Sequence, residues 1–186
     1  MATQTALLII DAQIGIDEPA WGSRNNPDAE ASIAALLQAF RDAELPVLHV
    51  QHDSTSPASP LRPGLPGHAF KPEALPLPAE PIFNKSVNSA FIGTDLEAYL
   101  RQHDLSSLIV AGFTTDHCVS TSVRMAANLG FEVTVISDAT ATHERRDSQG
   151  NHFPAQTMHD TALASLQSEF AHVTQAAEIV RQIKAR

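Results

Sequence analysis

The sequence predicts a doubly wound α/β domain, and two observations support that prediction. Short β-like runs alternate with helical patterns along the chain, and this alternation indicates βαβ units with a mostly parallel sheet and helices on both faces. The runs Leu7–Ile10 and Leu108–Ala111 are apolar at every position, as strands buried on both faces should be. Because the chain has 186 residues, the length of one domain, residues 1–186 are interpreted as a single domain.

Six runs have the length and composition of strands. They are Ala6–Ile10, Val47–Val50, the weaker Pro81–Phe83, Leu108–Ala111, Phe131–Ile136 and Phe170–Val173. In a doubly wound sheet, binding sites lie beyond the carboxyl ends of the strands, near the point where the strand order reverses. Polar residues that closely follow these strands are therefore the first candidates for chemistry.

Helical patterns fill most of the gaps between the strands. Asn26 is predicted to cap a first helix that has Pro27 at its first position and an apolar stripe at Ile33, Leu36, Leu37 and Phe40. Thr94 and Glu97 have the spacing of a capping box for a second helix. Three further helices are indicated by Val119, Val123 and Ala126, ending at Gly130; by Met158, Ala162, Leu166 and Phe170; and by Ala176, Ile179, Val180 and Ile183.

The segment 51–80 interrupts this pattern with a concentration of proline. Connections of this length without secondary structure are uncommon in compact domains and are commonly functional loops or disordered segments. The proline density favours a stiff, extended loop that covers a site, and its position inside the α/β pattern argues against a domain boundary.

Composition excludes several classes of partner. The chain has 12 Lys and Arg against 21 Asp and Glu, a net charge of −9, so its surface should repel nucleic-acid phosphates. No apolar run approaches the ~20 residues that cross a bilayer, and no membrane partner is expected. Cys118 is the single cysteine, which excludes an internal disulfide and a cysteine-based zinc cluster. A reduced cytoplasmic compartment fits this cysteine usage.

Three polar residues follow predicted strands that end at one edge of the sheet. Asp11 and Lys85 come after the first and third strands, and Cys118 lies at the predicted start of a helix after the fourth. A helix start and a nearby ammonium lower the pKa of a thiol, and a carboxylate can act as general base and then general acid. The trio therefore indicates acyl transfer from a carbonyl carbon to sulfur, followed by hydrolysis.

Each of these residues also has a structural interpretation. The structural interpretation of Cys118 is a small buried hydrophobe, that of Asp11 a turn or cap residue, and that of Lys85 a solvated side chain. The sequence pattern leaves this alternative open, and a domain of this kind would be a binding module with a remnant pocket.

Three segments of the sequence resemble the isochorismatase-like cysteine hydrolases, a family that includes nicotinamidases and N-carbamoylsarcosine amidases. They are Leu7–Gln13 (LLIIDAQ), the stretch FNKSVNSAFIGTDLEAYL around Lys85, and Ile109–Ser120 (IVAGFTTDHCVS). The likeness covers essentially the whole chain. It implies a Rossmann-like three-layer α/β/α sandwich and a homo-oligomer, either a dimer or a tetramer.

The resemblance also implies a catalytic triad of Asp11, Lys85 and Cys118. Cys118 would be the nucleophile, Asp11 the proton shuttle, and Lys85 the charge that orients Asp11 and favours the thiolate. The family places a cis peptide bond before the nucleophile, here between Phe113 and Thr114. The backbone amides of Thr114 and Cys118 would then form an oxyanion hole, and Asp116 would cap the turn.

Metal ligands are the point at which the sequence departs from nicotinamidases. Those enzymes usually carry an Asp-x-His pair and a further His after the second strand, whereas this chain reads His49-Val50-Gln51-His52-Asp53. We therefore expect no metal and no other cofactor. His52, Asp53 and His68 remain an alternative ligand set, because imidazole and carboxylate are good metal ligands.

The candidate substrate-binding residues are Gln13, His52, Phe91 and His117, with core packing as the alternative for Phe91. The charged residues 144–147 are interpreted as a solvated loop. The predicted function is a cysteine amidohydrolase acting on a small carboxamide or related C–N bond. The alternative reaction is isochorismatase-type hydrolysis of a vinyl ether.

Overall fold

The computed structural model describes residues 4–185, and its centre is a six-stranded sheet in the order β3-β2-β1-β4-β5-β8. The strands are β1 (Gln4–Ile10), β2 (Val47–His52), β3 (Ile82–Lys85), β4 (Leu105–Phe113), β5 (Glu132–Ala141), β6 (Arg145–Arg146), β7 (His152–Phe153) and β8 (His172–Thr174). All neighbours in the large sheet pair in parallel, whereas β6 and β7 form a separate antiparallel hairpin. The predicted α/β class is confirmed, and each of the six predicted runs overlaps a strand.

Helices cover both faces of the sheet. They are α1 (Ala29–Asp42), α2 (Leu96–Gln102), α3 (Ser120–Asn128), α4 (Ala155–Leu166) and α5 (Ala176–Lys184). Leu7 and Ile9 of β1 belong to a core shared with α1 and α5, while Leu8 and Ile10 belong to one shared with α2, α3 and α4. Successive strand side chains point to opposite faces, which explains why the apolar run of β1 fills both cores.

Two predicted helix starts are wrong. The helix α1 begins at Ala29, and Asn26 adopts a left-handed φ of 43°. Its side-chain amide donates to the carbonyl oxygens of Ser137 at 2.8 Å and Thr140 at 2.7 Å. Asn26 therefore fastens the loop before α1 to β5 instead of capping the helix.

The capping box predicted for α2 does not form either. Thr94 donates its hydroxyl to the carbonyl oxygen of Ala90 at 2.6 Å, and Glu97 accepts a hydrogen bond from Arg101 at 3.2 Å. Thr94 Oγ1 also accepts a hydrogen bond from Leu96 N–H, the first amide of α2, at 3.4 Å. The reciprocal bonds between Thr94 and Glu97 that define a capping box are not made among the described residues.

The apolar stripe predicted for the fourth helix is displaced. The buried residues of α4 are Ala155, His159, Leu163 and Leu166, and the helix ends at Leu166, before Phe170. Met158 and Ala162 are half-buried. Leu166 is buried as predicted, but the stripe also contains a histidine, so apolar periodicity placed Met158 and Ala162 next to the buried positions instead of on them.

Gly112 allows β4 to approach β1 closely just before the turn that carries Cys118. Its φ is 121°, and a Cβ atom there would lie 1.9 Å from the carbonyl oxygen of Ile10. Ile10 pairs in register with Gly112, and the residues that follow these two positions are Asp11 and Phe113. The glycine thus determines how closely the two strand ends meet.

The proline-rich segment 51–80 packs over the carboxyl edge of the sheet. Its main chain is tied to the segment after β1, because Ile14 N–H donates to the carbonyl oxygen of Ala69 and Lys71 N–H to that of Ala12, each at 2.8 Å. It contains two short 3₁₀ turns, Pro66–His68 and Pro72–Ala74. We call residues 51–80 the covering loop.

None of the helices within residues 4–185 combines the length and the apolar character needed to span a bilayer.

Candidate active site

Asp11, Lys85 and Cys118 meet at the carboxyl edge of the sheet. Asp11 directly follows β1, Lys85 is the last residue of β3, and Cys118 lies in a π-helical turn, Thr115–Val119, after β4. Lys85 Nζ donates to Asp11 Oδ2 at 2.6 Å and to Cys118 Sγ at 3.3 Å. Parallel strands that end at one edge of the sheet therefore bring together three side chains that are 33 to 107 residues apart in the chain.

Asp11 and Lys85 form a buried ion pair. Their side chains are 2% and 0% exposed, and charges so far from water persist only when paired. Asp11 Oδ2 is occupied by the ammonium, whereas Oδ1 is buried and has no hydrogen-bond partner among the described residues. This second oxygen can accept a proton or a hydrogen bond from a group that enters the site.

The Cys118 thiol is neutral in this environment. Burial raises its pKa well above the ordinary range, the Asp11 carboxylate raises it further, and Lys85 opposes both effects. Lys85 lowers the pKa of the thiol, as expected, but removal of the sulfur from water outweighs the ammonium in this state. The Asp11 carboxylate is the adjacent group that could accept a proton from this thiol.

The turn that carries Cys118 follows a cis peptide bond and contacts α4. The Phe113–Thr114 peptide bond is cis, as the family resemblance implies. Thr115 Oγ1 lies 2.9 Å from His159 Nδ1. The Thr115 contact holds the turn against α4, and both Thr114 and Cys118 line the cavity described below.

Asp116 bonds across the site instead of capping the turn. Its carboxylate accepts hydrogen bonds from the Thr142 hydroxyl and from Arg145 Nε, the latter at 3.1 Å. Burial alone would raise the pKa of Asp116, but the Thr142 hydrogen bond and the charges of His117 and Arg145 lower it. Asp116 therefore remains ionised and links the turn that carries Cys118 to Thr142 and to Arg145 of β6.

His52 contacts the ion pair directly. Its Nδ1 lies 3.0 Å from Lys85 Nζ, and burial and the Lys85 charge lower its pKa. The alternative metal ligands do not converge, because His68 bonds to Asp53 at 2.7 Å while His52 faces Lys85.

Within residues 4–185, one group of three His, Cys, Asp or Glu side chains has ligand atoms that all lie within 4.8 Å of one another, and its members are Asp11, His52 and Cys118. The Lys85 ammonium contacts all three. A metal ion at their centre would compete with a buried positive charge, so this donor set does not fit a resident cation.

These groups open into a cavity of about 520 Å³, which is in the range of small-molecule sites. An apolar part of the wall comes from Ile16, Trp21, Leu61 and Phe113, and the polar part from Asp11, His52, Ser54, Ser56, Ser59, Asn88, Thr114, His117, Cys118 and Arg145. The covering loop supplies five of these lining residues, which supports its interpretation as a functional loop.

Two of the four candidate binding residues, His52 and His117, line the cavity. Gln13 is fully buried; its amide donates to the carbonyl oxygens of His52 and His68 at 3.2 and 2.9 Å, and its oxygen accepts from His52 N–H at 2.9 Å. Phe91 stacks on Phe131 with 6.0 Å between ring centroids. Gln13 thus braces the covering loop, and Phe91 packs against the core.

Five polar lining residues, Arg145, Asn88 and three serines, were not identified as site residues from the sequence. Arg145 belongs to the segment that was interpreted as a solvated loop, yet it faces the cavity and bonds to Asp116. Ser54, Ser56 and Ser59 lie in the covering loop, whose proline density was the signal, although it did not indicate which side chains face inward. Asn88 follows Lys85 by three residues and has no distinguishing pattern.

Comparisons with known proteins cover these elements. The family model for the isochorismatase domain matches residues 5–178. The chain is 42% identical over 173 residues to YrdC of Bacillus subtilis (strain 168), an uncharacterized isochorismatase family protein, with 93% of this chain and 92% of YrdC covered. An isochorismatase-family crystal structure from Chromobacterium violaceum ATCC 12472 has a TM-score of 0.95 and 44% identity, covering 100% of this chain and 97% of the other. A cysteine hydrolase from Pseudomonas syringae pv. phaseolicola 1448A has a TM-score of 0.89 and 27% identity, covering 98% and 93%.

Proposed function

This chain belongs to the isochorismatase family of hydrolases, and on that premise we propose that it is a cysteine amidohydrolase that cleaves the C–N bond of a small carboxamide. The observation that carries the proposal is the position of Lys85 Nζ, within hydrogen-bonding distance of both Asp11 and Cys118 on the wall of one cavity. This arrangement combines a nucleophile, a base and a fixed positive charge.

The first step forms a bond between Cys118 Sγ and the carbonyl carbon. The thiol proton passes to Asp11, whose Oδ1 lacks another partner, while the sulfur attacks and the carbonyl oxygen becomes an oxyanion. The backbone amides of Thr114 and Cys118 are the proposed donors to that oxyanion. Proton removal during attack fits a thiol whose pKa burial has raised.

The second step breaks the C–N bond. Asp11 returns the proton to the substrate nitrogen, ammonia or an amine leaves, and a thioester to Cys118 remains. Water then attacks the thioester carbonyl and gives a proton to Asp11. Breakage of the C–S bond releases the carboxylic acid, and the sulfur regains a proton from Asp11.

Lys85 contributes a charge that stays in place throughout. It holds Asp11 through Oδ2 at 2.6 Å and lies 3.3 Å from the sulfur. It therefore stabilises negative charge wherever the proton transfer leaves it, first on the sulfur and then on the carboxylate. The buried position keeps water from weakening that effect.

Replacement of the nucleophile tests the proposal. Small primary amides are supplied to the wild-type protein and to Cys118→Ala, and ammonia release is measured with an enzymatic coupling assay. We expect ammonia release by the wild type and none above background by the variant. Circular dichroism checks that the variant is folded. Mass spectrometry of the wild type mixed rapidly with substrate should show an acyl adduct on Cys118.

Two results would contradict the amidohydrolase. Full ammonia release by Cys118→Ala would remove the nucleophile. Hydrolysis of isochorismate, with no turnover of any amide, would favour the vinyl-ether reaction.

A further inference from the structure

The Lys85 ammonium has three polar neighbours, and its contact with one of them, His52, determines which ring nitrogen of that histidine carries the proton. Its Nζ lies 2.6 Å from Asp11 Oδ2, 3.3 Å from Cys118 Sγ and 3.0 Å from His52 Nδ1. An ammonium carries three N–H donors and no acceptor. His52 Nδ1 must therefore accept, and in a neutral ring the proton is on Nε2.

His52 is also held by its main chain. It pairs in register with Lys85 across β2 and β3, and Gln13 accepts from its N–H at 2.9 Å and donates to its carbonyl oxygen at 3.2 Å. Burial and the Lys85 charge lower the pKa of His52, so the ring stays neutral. Both the position and the tautomer of this ring are fixed before any ligand enters.

The Nε2–H group of this ring has no hydrogen-bond partner among residues 4–185, while His52 lines the cavity. One of its ring nitrogens, the Cys118 sulfur and an Asp11 carboxylate oxygen lie within 4.8 Å of one another. A carbonyl carbon in position for attack stands about 3–3.5 Å from the sulfur. The His52 ring therefore borders the space that a substrate atom a few bonds from that carbon would occupy.

Resting on the proposed amidohydrolase function, we propose that His52 Nε2–H donates a hydrogen bond to an acceptor atom of the substrate close to the scissile carbonyl group. The preferred substrates are then carboxamides that carry a carbonyl oxygen, an ether oxygen or a ring nitrogen near the amide, over amides with only C–H groups there. A site whose donor is left unpaired disfavours the analogue that lacks the acceptor.

Two variants separate the two ring nitrogens. In His52→Asn, the amide oxygen can take the place of Nδ1 beside Lys85, but the side chain is too short to replace Nε2. In His52→Gln, the longer side chain can bring an N–H group near the former Nε2 position, while the acceptor for Lys85 is displaced. The matched probes are benzamide and the three pyridinecarboxamides, since exchanging a ring C–H for nitrogen adds an acceptor with little change of shape.

The kinetic readout is the ratio of kcat/KM for each pyridinecarboxamide to kcat/KM for benzamide. Taking this ratio relative to the wild type cancels the intrinsic reactivity of each amide. We expect the highest of the three ratios to fall about 3- to 10-fold in His52→Asn, the effect of one neutral hydrogen bond, and to fall less in His52→Gln. Equal ratios in the wild type and His52→Asn would overturn the proposal.

A second readout does not depend on turnover. Two-bond ¹H–¹⁵N correlation spectra report the tautomer of His52, which is assigned by comparison with His52→Asn. We expect the Nε2–H form at neutral pH. In Cys118→Ala, a pyridinecarboxamide should shift the His52 Nε2 resonance more than benzamide does. An Nδ1–H ring, an imidazolium, or no larger shift with any pyridinecarboxamide would overturn the proposal.

This design separates failure here from failure of the proposed function. Ammonia release that does not require Cys118 would contradict the amidohydrolase. Release that requires Cys118 but has the same substrate ratios in His52→Asn contradicts only the role of His52.

Discussion

Lys85 Nζ lies 2.6 Å from Asp11 Oδ2, and both side chains are closed off from solvent. Two strand ends that are not adjacent in the sheet, those of β1 and β3, thus share one buried ion pair across β2. Removal of one partner leaves the other charge buried and uncompensated, which is far more costly than removal of both. Stability and chemistry are therefore coupled at this pair.

The first prediction concerns that coupling. Lys85→Met should lower the free energy of unfolding by about 3–5 kcal/mol, and the double variant Asp11→Asn/Lys85→Met should lose less than the single one. Urea denaturation followed by circular dichroism measures both. Lys184→Met, which removes an exposed lysine, is the matched control and should change stability by about 0.5 kcal/mol or less. A larger loss in the double variant would contradict the buried-pair argument.

Gly112 provides the second prediction. Gly112→Ala should cost roughly 3–5 kcal/mol, because its φ is 121° and the new Cβ would lie 1.9 Å from the carbonyl oxygen of Ile10. Gly93→Ala is the control: φ there is 72°, with no atom within 4 Å of the added carbon, so the cost should be about 1–2 kcal/mol. Chemical denaturation of both variants tests the difference, and equal losses would show that the strand approach is not tight.

The third prediction concerns the reactivity of Cys118. Because burial and Asp11 raise the pKa of the thiol, its alkylation by iodoacetamide should be slow at neutral pH and should still rise with pH above about 8.5, the ordinary thiol value. Asp11→Asn removes one cause of the rise, so it should lower the pKa and accelerate alkylation. Lys85→Met removes the opposing charge and should slow it. The urea-unfolded protein supplies the ordinary rate, and a folded-state inflection below about 8.5 would contradict the predicted direction.

The fourth prediction concerns the end of the covering loop. Glu80 accepts hydrogen bonds from Arg41 at 2.8 and 2.9 Å and from Leu77 N–H at 2.9 Å, and its Oε2 lies 2.8 Å from His49 Nε2. Burial raises the pKa of Glu80, but these partners outweigh it and lower the pKa to about 2. Its contribution to stability is then complete above the unfolded value of about 4.3 and is lost as the pH falls toward 2.

Denaturation of Glu80→Gln as a function of pH measures this contribution. The variant should be less stable than the wild type by roughly 1–3 kcal/mol at pH 7, and the gap should narrow below pH 4.3. Glu97→Gln removes an exposed carboxylate that is paired with Arg101 and should change stability by about 0.5 kcal/mol or less. A gap for Glu80→Gln that stays constant down to pH 2 would show that its ionisation is not what stabilises the loop end.

Local patterns sufficed for the α/β class and for the meeting of Asp11, Lys85 and Cys118. Apolar runs and helical periodicity mark strands and helices from short windows of sequence. Parallel strands then place their carboxyl ends at one edge, so residues that closely follow three strands are neighbours without knowledge of any side-chain contact. The cis bond at Thr114 was accessible only through the family resemblance.

Packing between distant segments decided the remaining features. Asn26 does not cap α1 but donates hydrogen bonds to carbonyl groups of β5. Arg145 faces the cavity, although its segment has the sequence of a solvated loop. The neutral Cys118 thiol likewise follows from burial, and the inferred His52 tautomer follows from the contact of Nδ1 with Lys85. Desolvation and hydrogen-bond pairing depend on atoms contributed by several elements at once, so no short window of sequence contains them.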